Sequence, residues 1–219
     1  MQDVSSAAAE RPEPGQRRAR RRADTIEEIL RLALEIMVEV GAGGLTFAEI
    51  ARRLGVRPPS LYKYFPSVHA VYDELFHRGQ TEHRDAVAAA MAAAEPGMPS
   101  VTAGLQAGAR WSAENRVLAQ LLFWRPVPGF EPSPDAFAPS VDMVGLFRDA
   151  LRDAVAAGQV GPEANSDEAL ALVSVIASGT GSQYLANEPG TPWQESRFVS
   201  LIPYAVGVFR AGLTSRDGG

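Results

Sequence analysis

The sequence predicts an all-α protein of about nine helices, and three observations predict it. Apolar residues recur at three- and four-residue spacing along most of the chain. Helix caps precede these runs, and glycine or proline closes them. No stretch shows the two-residue alternation of a half-buried strand, and there is no internal repeat. At 219 residues and 46% hydrophobic content, the chain can bury a sizeable core, as one medium domain or as a small one joined to a larger one.

Residues 1–16 are rich in Ala, Ser, Pro and Glu, lack periodicity and read as a disordered tail. Arg17, Arg18, Arg20, Arg21 and Arg22 then form a cationic arm. A first helix is expected over 24–41, or from inside the Arg run, with Ile26, Ile29, Leu30, Ala33, Met37 and Val40 on its apolar face. Asp24 and Glu27 have the spacing of a capping box, and Gly41, Gly43 and Gly44 end the helix. Thr46 and Glu49 form a second capping box, opening a helix with Phe47, Ile50, Ala51 and Leu54 inside. Gly55 supplies a turn that needs a left-handed residue. Pro58 and Pro59 stand where a third helix starts, and Pro66 stops it. Two short helices at this spacing make a unit that can lay the second in the major groove of DNA.

A long helix is expected over 67–94, capped by Ser67, followed by helices over 100–114 and 116–124. Residues 125–140 hold five prolines and read as a loop pinned by Phe130 and Phe137. A helix over 139–158 carries Val141, Val144, Phe147, Leu151, Ala154 and Val155. The last two helices, expected over 166–187 and 192–212, are apolar or small on nearly every side, and Pro203 should kink the second. Such helices are buried on two sides, either in the centre of a monomer or against a second subunit. Homodimerisation is the favoured reading, with Val175, Gly179, Leu201, Ala205 and Val208 at the interface.

Charge is uneven. Residues 16–65 hold ten basic against six acidic residues, whereas residues 66–219 hold ten against seventeen. A basic head on an acidic body suits a protein that presents one end to phosphate. The domain reading follows: a tail at 1–16, a DNA-binding unit at 17–66, a helical regulatory and dimerisation body at 67–213, and a tail at 214–219. No apolar run approaches the ~20 residues of a membrane span, so no membrane partner is expected. The start lacks the apolar core of a secretory signal. The absence of cysteine excludes disulfides, Cys-ligated zinc and a Cys nucleophile, and it suits a reducing cytoplasm. No enzyme, cofactor or metal site is expected. His69, His77 and His83 lie eight and six apart, off the spacing of a helical metal pair, and GTGS at 179–182 is too short for a phosphate loop.

The segment GLTFAEIARRLGVRPPSLYKYFPS resembles the helix-turn-helix of TetR-family transcriptional regulators. That pattern is a Thr-capped helix, then I-A-x-x-x-G-V, then a short helix ending in L-Y-x-x-F-x-S. Thr46, Ile50, Ala51, Gly55, Val56, Leu61, Tyr62, Phe65 and Ser67 fall in register, and the specific likeness covers 24–76. One departure stands out. The family commonly has a phosphate-binding Lys just after the P-S pair, and here Val68 and His69 follow Ser67.

The resemblance implies a homodimeric repressor on a palindromic double-stranded operator, released by a small apolar inducer. A helical interaction module without specific DNA binding is the alternative. It also implies that 58–64 enters the major groove with Arg57, Pro59, Ser60 and Lys63 on its exposed face. Arg57 is the strongest candidate for base readout, since Arg donates to guanine O6 and N7. Tyr62 and Tyr64 suit phosphate contacts through their phenols, though either can instead pack on the first helix. Thr46 offers a hydroxyl and a helix N-terminus to phosphate, and the arginines at 17–22 add nonspecific affinity or reach the minor groove. For the inducer pocket, the resemblance points to His83, Trp111, Phe123, Trp124, Phe147 and Tyr184.

Overall fold

The structure, a computed structural model, describes residues 14–213. Residues 1–13 of the expected N-terminal tail and all of 214–219 lie outside the described residues. Among the described residues there are eight α-helices, four short 3₁₀ segments and no strand.

Helix α1 (Pro14–Val40) begins about ten residues before the expected start. The arginines at 17–22 are therefore exposed on its N-terminal turns, and residues 14–16 belong to the helix rather than to a tail. Asp24 lies in mid-helix and caps nothing. Arg and Ala are strong helix formers, so nothing in this run breaks the periodic segment that follows. Val40 is 58% exposed, and Ile36 takes its place inside.

Helix α2 (Phe47–Leu54) is capped by Thr46, whose hydroxyl accepts from the Glu49 N–H at 3.3 Å. Only that half of the capping box closes. The Glu49 carboxylate turns instead to Arg52 and Arg53, and Arg53 also reaches Glu39 on α1. The hydrogen bonds from Arg52 and Arg53 pull the Glu49 carboxyl down to about 2. Gly55 ends the helix at φ 71°, where a side chain would strain the backbone.

The third element is a 3₁₀ segment, Pro58–Lys63, not an α-helix. Two prolines in six residues remove two N–H donors, and the tighter i→i+3 bonds that remain (Ser60 N–H to Arg57 O, 2.9 Å; Tyr64 N–H to Leu61 O, 2.9 Å) close so short an element. Leu61 and Phe65 join Ile29, Ala33, Met37, Ile50 and Ala51 in the core of the head.

Helix α3 (Val68–Ala93), capped by Ser67, is the spine of the molecule. Val71, Tyr72 and Leu75 complete the head's core, and the buried Tyr72 hydroxyl accepts from the Leu45 N–H at 3.1 Å. Arg78 grips Glu27 of α1 and Glu74 of its own helix. Its guanidinium holds the Glu27 carboxyl below the usual range. Further along, α3 packs against α4 (Met98–Glu114), α5 (Arg116–Trp124) and α6 (Pro134–Ala156).

Helix α6 starts within the proline-rich stretch read as a loop. Ser133 caps it, Pro134 occupies its first turn and Pro139 lies inside it. Pro134 is tolerated because first-turn N–H groups have no helical partner. Asp73 of α3 accepts from the Ser133 N–H at 2.7 Å and its hydroxyl at 2.8 Å, which fixes the helix start to the spine. Phe130 is buried, and Phe137 stacks on Phe76 at 6.3 Å. Val141 faces outward, at 61% exposure.

Helix α7 (Asp167–Asn187) packs on α4 and α6. By length and composition it is apolar enough to cross a membrane, which corrects the expectation that no such stretch exists. Its Ser, Gly and Thr residues hide the run from inspection, although charge is confined to Asp167 and Glu168. The helix expected over 192–212 is broken. Trp193–Glu195 and Val199–Leu201 are 3₁₀ turns, and α8 (Ile202–Gly212) begins with Pro203 in its first turn, where proline starts a helix instead of kinking one. Val199, Ile202, Val206 and Phe209 face the core, while Leu201, Tyr204 and Val208 face out.

Candidate nucleic-acid interface and ligand cavity

At the tip of the head, Arg57, Pro58, Pro59, Tyr62 and Lys63 are exposed and Ser60 is partly so. The segment stands clear because Leu61 and Phe65, on its other side, are anchored in the core. The two tyrosines divide. Tyr62 is 60% exposed and meets Phe47 edge-on at 5.2 Å. Tyr64 turns back to α1. Its phenol is hydrogen-bonded to Thr25 and Lys63, which lowers its pKa, and Arg22 lies over its ring at 5.9 Å. Tyr64 therefore secures the segment to α1, and of the two only Tyr62 offers an unobstructed phenol.

Lys63 Nζ rests 4.7 Å from the Tyr64 ring centre yet remains exposed. Arg22 also donates to the Lys63 carbonyl at 3.5 Å, so the arginine-rich turns of α1 and the 3₁₀ segment form one basic surface. Thr46 is exposed at the start of α2 beside it, where helix N–H groups favour an anion. Val68, half-buried against the core, cannot replace the missing Lys, whereas His69 is exposed.

In the body, α3, α4, α6, α7 and the end of α5 enclose a cavity of about 210 Å³. His83, Phe123, Trp124 and Phe147 line it. Trp111 and Tyr184 do not. Trp111 is buried against the His83 ring at 5.0 Å, and Tyr184 is held away by Arg116 and by its own hydroxyl's bond to the Thr191 carbonyl at 2.8 Å. No Asp, Glu, Lys or Arg lines the cavity.

Sequence reasoning missed its serines. Ser174, Ser178 and Ser182 recur every fourth residue on α7, and that spacing inside an apolar helix was the available signal. Gly104 and Gly108, one turn apart on α4, let other groups approach closely: a Cβ on Gly108 would meet His83 Nε2 at 3.0 Å. His83 is buried without a charged partner, so desolvation pushes its pKa down to about 4, with a hydrogen bond to the Gly108 backbone opposing. Its Nδ1 is buried with no partner.

The outer faces of α7 and α8 present Leu172, Val175, Gly179, Tyr204 and Val208 to solvent, with Leu201 of the preceding 3₁₀ turn exposed and Ala205 half-buried beside them.

Comparison with known proteins bears on both regions. Residues 29–75 match the family of bacterial regulatory proteins described as the tetR family. The HTH-type transcriptional regulator Rv1816 of Mycobacterium tuberculosis is 29% identical over 150 residues, covering 65% of this chain and 64% of the relative, just under two thirds of its length. The class C tetracycline repressor of Escherichia coli is 45% identical over 49 residues, 22% of each chain. Among solved structures, the transcriptional regulator FadR of Bacillus subtilis, crystallised with stearoyl-CoA, superposes with a TM-score of 0.65 at 14% identity, covering 85% of this chain and 98% of that one. At that identity the last likeness speaks to fold alone. The helix-turn-helix geometry at the tip of the head agrees with the match of residues 29–75 to the tetR family of bacterial regulatory proteins.

Proposed function

We propose that the chain is a homodimeric transcriptional repressor, whose two heads bind a palindromic operator and are released by a small ligand in the body. The observation that carries this reading is the exposed basic and aromatic segment Arg57–Lys63, held out by a buried Leu61 and an anchored Tyr64. Residues 17–66 act as the DNA-binding unit and 67–213 as the regulatory body. In the groove Arg57 and Lys63 read base edges, Ser60 and Pro59 line the approach, and Tyr62 with Thr46 contacts phosphate. Arg17, Arg18, Arg20, Arg21 and Arg22 add phosphate contacts from the N-terminal turns of α1.

The apolar outer faces of α7 and α8 support a two-fold dimer built from those helices. Burial against a second copy also accounts for α7's membrane-like composition. A ligand releases the operator only if it binds one spacing of the heads more tightly than the other. Arg78, bridging α1 and α3, supplies a rigid link along which body and head can move together. The stearoyl-CoA bound by FadR, charged at its coenzyme A end, carries a long apolar acyl chain, and the uncharged lining here suits an apolar group of that kind.

Titration onto DNA from the protein's own upstream region, at two salt concentrations and against excess random DNA, tests the reading. Saturable, competitor-resistant binding supports it. Replacing the five arginines at 17–22 with Ala should lower the slope of log K against log salt by ~0.9 for each phosphate left without its arginine. Absence of specific binding to every neighbouring promoter favours an interaction module.

A further inference from the structure

The cavity has a closed end and an open one. Leu105, Phe147 and Leu170 are buried along its wall, whereas Phe123, Trp124, Ala177 and Ser178 line it and are exposed. These last four, from the end of α5 and the middle of α7, mark its mouth. Trp124 is fixed there by its Nε1 bond to the Ser182 hydroxyl oxygen at 3.3 Å. No charged side chain lines the space, so the cavity itself suits an apolar group.

Charge begins one residue beyond the lining. Arg125 follows Trp124 at the end of α5 and is exposed. Nine arginines stand between residues 67 and 213. Six are paired with carboxylates, Arg116 donates to the Tyr184 hydroxyl, and Arg210 donates to the Gln159 carbonyl. Of these nine, only Arg125 has no hydrogen-bond, ion-pair or ring partner. On α7 the stretch from Ser174 to Leu185 carries no charged residue. On α6, Asp142 stands between the lining residues Ser140 and Met143, but it is bonded to Arg84.

The backbone of Arg125 is held in a disfavoured place. Among the described residues it is the only non-glycine with positive φ, at φ 46° and ψ 56°. A Cβ disfavours that conformation, and a residue before proline prefers an extended one. Both neighbours hold it. Trp124 is tied to Ser182, and Pro126 abuts the head, where a Cβ on Gly43 would come within 2.8 Å of the Pro126 carbonyl oxygen. Strain held in place by its surroundings clusters at ligand sites. An unpartnered guanidinium is a ready receptor for carboxylate or phosphate.

We propose that the ligand is an anionic amphiphile, whose apolar tail fills the cavity while its carboxylate or phosphate head stays at the mouth and pairs with Arg125. The inference rests on the ligand-binding reading above and adds the ligand's charged end. A neutral apolar molecule fills the same space but leaves Arg125 to solvent. A cationic head meets a like charge.

Four probes with one tail test this on the full-length protein by titration calorimetry: octanoate, octyl phosphate, 1-octanol and octylammonium. At least one anion should bind about threefold or more tighter than the alcohol, the scale of an exposed but bidentate ion pair. That gap should narrow as salt rises from about 0.05 to 0.5 M. Octylammonium should bind most weakly, although the net charge of −5 favours a cation over an anion. The tighter anion identifies the head group, and 1-octanol should displace it, because the tails share one cavity. Arg125→Gly removes the guanidinium and suits φ 46°, so it should fold. In that variant the anions should lose their advantage over the alcohol.

Alcohol binding as tight as that of both anions overturns the inference, and is the result expected if Arg125 only offsets the negative end of α5. An anion preference that survives Arg125→Gly overturns it too, as does an anion that the alcohol cannot displace. Those outcomes leave the ligand-binding reading standing. If none of the four probes binds, nor their decyl and dodecyl homologues, the inference falls. If one- to three-ring neutral compounds also fail, the ligand-binding reading falls with it.

Discussion

A neutral histidine buried against aromatic rings makes stability depend on pH in a definite direction. His83 faces Trp111 at 5.0 Å and Phe123 at 5.4 Å, and the cavity beside it holds no charged side chain. Its folded pKa is depressed to about 4, against 6.5 for the free side chain. Above pH 6.5 the ring is neutral in both states and titration contributes no penalty. Below pH 6.5 the unfolded chain takes up a proton that the folded chain refuses, and stability falls as pH falls. The slope approaches ~1.4 kcal/mol per pH unit and ends near the folded pKa, for a total of about 3 kcal/mol.

Urea unfolding at one protein concentration and ionic strength, at steps from pH 7.5 to 5, reads this directly. His83→Leu removes the titrating group, so the difference between its profile and that of the wild type isolates His83. Glu49 and Glu27 act elsewhere. Their carboxyls are depressed below 4.5 in the folded state by their arginine partners, so their contribution is present above that value and is lost only as pH falls below it. Wild type should lose about 1–2 kcal/mol between pH 7.5 and 5 beyond any loss in the variant. Parallel profiles for the two proteins would refute the argument, because they would mean that His83 is solvated or paired in the folded state.

Three further outcomes are expected. Arg57→Ala should weaken operator binding by about 1–3 kcal/mol and relax discrimination at one base pair, measured by fluorescence anisotropy on single-position operator variants. Val175→Arg combined with Val208→Arg places charge on the exposed apolar faces of α7 and α8, and should yield monomers by light scattering, with loss of operator binding but retained helicity. Gly55→Ala should cost about 1 kcal/mol in thermal or urea unfolding, because φ 71° is disfavoured for any residue with a Cβ.

Local signals marked most of the head. The Thr46 cap, the Gly55 turn and the Ser67 cap each depend on a residue's own chemistry and its near neighbours, and each stands where the sequence places it. The elements that resisted reading are those settled by competition. Glu49 has the spacing to close a capping box, but two arginines in reach hold its carboxylate more strongly than one N–H. Pro134 looks like a breaker until Asp73, far back along the chain on α3, grips Ser133 and makes that proline the first turn of a helix. Tyr62 and Tyr64 are interchangeable as text. Thr25, one turn beyond Arg21 on α1, separates them by bonding Tyr64.

The sequence by itself determined the helical class, the capped pair of short elements and the concentration of positive charge at one end. Periodicity, caps and charge act over a few residues and need no tertiary partner. Tertiary structure alone decided which face each helix turns inward, and so which residues meet in a cavity. Trp111 and Phe123 both pack on the His83 ring, but only Phe123 lines the open space, and no spacing rule distinguishes them. His83 Nδ1 is buried between α3 and its neighbours without a hydrogen-bond partner. That is a property of how two helices pack, which neither helix carries in its own residues.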